Sequence, residues 1–120
     1  MTIFYIAGKW EEREQIREIQ KALIEKGHEI TCDWTYHEKD DPGYPVTYAV
    51  EDIEGVKNCD VYVGVFVSDL NYKGALVEMG AALATFKTVC IIGHAIDSCL
   101  FREHPLVGWY DTVEEFLEEW

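Results

Sequence analysis

Short apolar runs rich in β-branched and aromatic residues alternate along this chain with stretches of helical periodicity, and no other feature limits the fold as much. The run "TIFYIAG" ends at Gly8, after which Ile16, Ile19 and Leu23 mark one face of a helix over Trp10 to Lys26 that Gly27 stops. "HEITCDW" reads as a second strand and the polar "TYHEKDDPGYP" as a turn-rich loop. A helix over Val46 to Asn58 is expected to carry Ala49, Ile53 and Val56 inward. "DVYVGVFV" from Asp60 is nearly continuous in β-branched and aromatic residues, the pattern of a strand buried on both faces. "NYKGALVEMGAALATFK" follows, with Ala75, Leu76, Met79, Ala82, Leu83 and Phe86 at the spacing of a helix packed on a core, and then the strand "TVCIIG". A short strand near Val107 to Tyr110 and a last helix to Trp120, opened by a capping box of Thr112 and Glu115, complete the series.

In 120 residues this series makes one domain, 1–120, of the α/β class. The expected architecture is a five-stranded parallel sheet, doubly wound in the flavodoxin-like or Rossmann-like manner. Ligands of such sheets bind beyond the C-terminal ends of the strands, where the strand order reverses between the first and third. That rule selects two loops, "AGKWEER" and "VSDLNYKG". Glu78 lies in the second turn of the helix after the latter and faces the crevice between them.

The net charge of −13 excludes binding a nucleic acid polymer by phosphate neutralisation, which requires Lys and Arg gathered on one face. No segment approaches the roughly 18 apolar residues of a membrane span, and "MTIFYIAGKW" has no basic region followed by a long apolar run, so a cytoplasmic protein is expected. Cys32, Cys59, Cys90 and Cys99 form no C-x-x-C pair and read as buried free thiols. The spacing of His28, His37, His94 and His104 implies no metal, and no cofactor is expected.

Two readings of Glu78 stand at this point. Most helical glutamates are simply solvated. A carboxylate near a helix N-terminus at a switch point is, instead, held ionised by the helix dipole and suited to act as nucleophile or base. Small neighbours at Gly74, Ala75, Gly80 and Ala81 leave room for a ligand to approach. Tyr5 is either a core aromatic or a hydroxyl that orients this carboxylate. Lys9 and Arg13, beside the backbone N–H groups of Gly8 and Trp10 at a helix start, either bind a phosphate or pair with Glu11, Glu12 and Glu14.

"FYIAGKW", "GHEITCDW", "EDIEGVKNCDVYVGVF" and "GALVEMGAALATFKTVCIIG" together resemble the nucleoside 2-deoxyribosyltransferase family, in order over Ile3 to about Phe116. The resemblance is most specific at D-I-x-G-V-x-x-x-D and G-x-x-x-E-x-G. It implies cleavage of the N-glycosidic bond of a nucleoside or nucleotide, by base-exchanging transferases or by related hydrolases of nucleoside 5′-monophosphates. It assigns the nucleophile to Glu78, the tyrosine of the first strand to Tyr5, and the aspartate that contacts base or sugar to Asp52, leaving Asp60 structural. Six positions before Glu78, where the family has an acidic or hydroxyl residue, this chain has Tyr72, with Asp69 as a substitute three residues earlier. Ser98 is the candidate for the residue that a neighbouring subunit contributes, which implies a homodimer or higher homo-oligomer.

The chemistry suits these residues: an ionised carboxylate stabilises or traps the oxocarbenium-like C1′, and an acid serves the departing base. Water then gives hydrolysis and a second base gives transfer. A non-catalytic sensor domain that binds a nucleotide in the same crevice is the competing class. An electron carrier is not supported, because the loop after the first strand lacks a Ser/Thr-rich phosphate cradle.

Overall fold

The computed structural model describes residues 1–38, 40–68 and 71–120. Five parallel strands, β1 (Ile3–Ala7), β2 (Glu29–Ile30), β3 (Val61–Val65), β4 (Thr88–Ile92) and β5 (Val107–Tyr110), form one sheet in the order β2-β1-β3-β4-β5. Helices α1 (Arg13–Glu25), α2 (Val46–Asn58), α3 (Lys73–Ala84) and α4 (Val113–Glu119) connect or follow them. This is the doubly wound order expected from the alternation, with the reversal between β1 and β3.

Burial follows the sequence most closely at the centre. Every residue of β3 is buried, as are Phe4 to Ala7 of β1 and Val89 to Ile92 of β4. Ile16, Ile19 and Leu23 bury the expected face of α1. Its end is set by Gly27 at φ +95°, a conformation costly for any side chain, which lets the His28 N–H reach back to the Leu23 carbonyl at 3.1 Å. Asp60 accepts the Ile3 N–H at 2.9 Å and so ties the start of β3 to the start of β1.

Four local expectations are corrected. The second strand is only two residues long. Beyond Thr31 the chain turns away into a short 3-10 segment, Trp34–Tyr36, and the Trp34 indole N–H donates to the Ile6 carbonyl at 2.6 Å. That bond satisfies an edge group of β1 which a longer β2 would have paired. Ala49 is exposed and Ile53 only half-buried, because the first half of α2 packs on the loop before it: Tyr48 stacks on His37 with ring centroids 3.8 Å apart. Phe86 is 84% exposed at φ +60°, since α3 ends at Ala84 and the chain reverses there. Of the cysteines, Cys59 and Cys90 are buried while Cys32 and Cys99 are half-buried; all four are free thiols.

Candidate active site

Tyr5 and Tyr62 are register partners on β1 and β3, fully buried, with rings 6.2 Å apart and nearly parallel. Both hydroxyls reach α3. Tyr62 donates to the Ala75 carbonyl at 2.6 Å, and Tyr5 donates to Glu78 Oε2 at 2.5 Å, one helical turn further on. The two tyrosines therefore fix the height and rotation of α3 on the sheet, and with them the position of the carboxylate. At 2.5 Å the Tyr5–Glu78 bond lies at the short end of the O–H···O range.

Burial dominates the electrostatics of Glu78. Desolvation raises its pKa from 4.5 to about 7, the bond from Tyr5 opposes the rise, and the charge of Asp52 adds to it. Burial thus works against the ionised form expected from its place in α3. Desolvation, then Glu78 and Asp52, push the Tyr5 phenol well above its ordinary range, so it remains a donor.

Asp52 approaches from α2. Gly55, on the same helix, permits this: a Cβ there would stand 2.7 Å from Cys32 Cβ and 3.1 Å from the Tyr5 ring. Asp52 is half-buried, and burial raises its pKa while His37 and Cys32 pull it back. Cys32 Sγ donates to Asp52 Oδ1 at 3.6 Å, and His37 Nδ1 lies 3.7 Å from the same oxygen. Burial and the neighbouring Asp52 push the Cys32 thiol to about 12. Cys32 and His37 escaped the sequence reading because their partner, Asp52, is distant in sequence and no motif spacing links the three.

The loops after β1 and β3 meet at the reversal. Tyr72 donates to Glu12 Oε1 at 2.6 Å, its hydroxyl lies 3.0 Å from Ser68 Oγ, and its ring packs edge-on against Phe66. Gly8, Lys9, Trp10, Tyr72 and Gly74 line one hollow of about 360 Å³, together with Glu11, Asn71 and Lys73. Lys9 is buried, with its ammonium 4.8 Å above the Tyr72 ring. Arg13 does not line that hollow; it donates to the Trp10 carbonyl and stacks on the Trp10 ring at 4.3 Å. Ser98 is exposed in the turn after β4, one strand away from the β1–β3 crevice. Asp69 lies outside the described residues.

An apolar cavity of about 610 Å³ occupies another side of α3, lined among others by Val77, Gly80, Leu83 and Phe101. It contains none of the candidate site residues. Among the described residues no helix is long and apolar enough to cross a membrane.

No protein-family model and no curated protein matches the sequence. Solved structures do match. The CMP N-glycosidase BcmB of Clostridium botulinum superposes at TM-score 0.68 and 20% identity, over 98% of this chain and 96% of that one. The 2-deoxyribosyltransferase of Bacillus psychrosaccharolyticus superposes at TM-score 0.74 and 14% identity, over 96% and 90%. The 2-deoxyribosyltransferase of Leishmania mexicana gives TM-score 0.58 and 18% identity, over 77% and 64%. With the sheet order above, these likenesses establish that the chain has the flavodoxin-like α/β fold of the nucleoside 2-deoxyribosyltransferase-like proteins.

Proposed function

We propose that this protein cleaves the N-glycosidic bond of a nucleoside, deoxynucleoside or nucleoside 5′-monophosphate, with Glu78 as nucleophile. The observation that carries the reading is the 2.5 Å bond from Tyr5 to a half-buried Glu78 at the strand-order reversal. There an ionised Oε1 attacks C1′ as the bond to the base breaks, forming a glycosyl ester, while Tyr5 holds Oε2. Asp52 hydrogen-bonds or protonates the leaving base. Water or a second base then attacks C1′ and frees the carboxylate. The hollow at Lys9 and Lys73 is suited to a 5′-phosphate, which favours a nucleotide substrate. The names of the similar structures, a CMP N-glycosidase and 2-deoxyribosyltransferases, agree with this class of reaction.

A second copy of the chain is proposed to cover the apolar side of α3. Val77 is 65% exposed there, and Leu100 and Phe101, close to Ser98 in sequence, are exposed as well. Pairing across that face excludes water and brings Ser98 of the neighbouring copy toward the crevice. Light scattering should give at least twice the 13.8 kDa chain mass.

Incubation with a panel of nucleosides, deoxynucleosides and their 5′-monophosphates, followed by chromatography for free base, tests the reaction. Base release from a 5′-monophosphate ahead of its nucleoside is expected. Binding of the panel without any release would favour the non-catalytic sensor domain.

A further inference from the structure

On the lid side of the crevice, the loop after β2 and the middle of α2 place three potential metal ligands together. The ligating atoms of Cys32, His37 and Asp52 all lie within 4.8 Å of one another. Two of the separations are 3.6 Å, from Cys32 Sγ to Asp52 Oδ1, and 3.7 Å, from His37 Nδ1 to the same oxygen. A tetrahedral zinc centre with Zn–S near 2.3 Å and Zn–N or Zn–O near 2.0–2.1 Å holds its ligand atoms roughly 3.3–3.6 Å apart. The cluster is therefore within a few tenths of an ångström of that geometry along two edges.

The orientation of His37 supplies a separate indication. With Nδ1 toward Asp52, its Nε2 lies 3.7 Å from Glu51 Oε2, and the flat face of the ring rests on Tyr48. A carboxylate behind the distal nitrogen is the usual outer support of a metal-bound histidine, because it fixes the tautomer and the ring plane. One thiolate, one carboxylate and a neutral imidazole balance a divalent charge and suit a borderline-soft d¹⁰ ion better than magnesium or calcium.

We propose that Cys32, His37 and Asp52 form a binding site for a thiophilic divalent ion of the zinc class, with Glu51 as the outer partner of His37 and the fourth position open to water. Binding forms a metal–thiolate bond and releases the Cys32 thiol proton to solvent. The site shares Asp52 with the glycosidic reading, and a bound ion withdraws that carboxylate from any substrate.

Cobalt(II) titration of the intact, reduced chain reads the site directly. A thiolate-to-cobalt charge-transfer band in the near ultraviolet, saturating at one ion per chain and abolished by zinc, is expected. Cys32→Ser, nearly isosteric at a half-buried position, should remove the band with an unchanged circular dichroism spectrum. His37→Ala should weaken binding about tenfold to a hundredfold. A band that survives Cys32→Ser would place the ion at another cysteine and overturn the proposal, as would the absence of any band at millimolar cobalt.

Discussion

The two sides of the crevice are built differently. On the sheet side, Tyr5 and Glu78 are anchored by β1, β3 and α3; Tyr5 and its neighbour Tyr62 are fully buried, and Glu78 is half-buried at the end of a 2.5 Å bond. On the lid side, Asp52, Cys32 and His37 are half-buried, and their mutual separations are 3.6 Å or longer. The loop after β2 is tied to α1, where Arg17 bonds the Thr35 hydroxyl at 3.1 Å and its carbonyl at 2.7 Å. The contrast teaches a division of labour. In the proposed mechanism, the carboxylate that bonds C1′ sits on a helix packed against the sheet, and the groups that would meet the departing base come from α2 and the loop after β2.

That division is broken most severely through Glu78. Glu78→Gln should lower base release by on the order of 10⁴-fold or more while the variant stays folded, measured by single-turnover assay and circular dichroism. A variant that keeps a few per cent of activity would remove Glu78 from the nucleophile role. The same variant sharpens the energetics. A carboxyl raised to about 7 in the folded chain adds stability that is complete below pH 4.5 and lost as pH rises through 7. The unfolding free energy from urea titrations should therefore fall between pH 5 and pH 8 by up to about 3 kcal/mol more for the wild type than for Glu78→Gln.

Asp52→Asn, on the lid side, should cost less: about 10²-fold in turnover, with substrate affinity nearly unchanged, because the amide keeps its shape but delivers no proton. Tyr5→Phe is next, roughly tenfold in turnover. Its pH profile is the more telling readout. With Tyr5, Tyr62 and Asp52 as the titratable groups around Glu78, kcat/KM of the wild type should rise with pH through about 7. Removing the Tyr5 donor, which favours the carboxylate, should move that inflection upward; a downward shift would contradict the assigned direction of the bond. The smallest effect is expected at Asp60→Asn, which should reduce stability by about 1 kcal/mol through the Ile3 N–H and leave turnover alone.

The same contrast governs what the sequence disclosed. The sheet side was legible because "DVYVGVFV" and the stripe from Ala75 to Leu83 obey the periodicities of a buried strand and a packed helix, and the strand-order rule then faces Glu78 toward the crevice. On the lid side, local pattern gave way to tertiary bonds. "HEITCDW" has the composition of a long strand, yet the pull of Trp34 toward the Ile6 carbonyl shortens it to two residues. Ala49 looked like a core residue until Tyr48, its neighbour, paired with His37. Cys32 meets Asp52 only because Gly55 lets α2 come close to Tyr5, a contact that periodicity does not encode.

The central claim is that Glu78 bonds covalently to C1′, and the stereochemistry of the product tests it most directly. Base release run in dilute methanol traps the sugar as a methyl glycoside whose anomeric configuration is fixed and can be read by nuclear magnetic resonance. Two displacements, the first by Glu78 and the second by methanol, retain configuration, so a β-nucleoside substrate should yield the β-methyl glycoside. The α-anomer as the sole product would mean a single direct displacement, with Glu78 never bonded to the sugar.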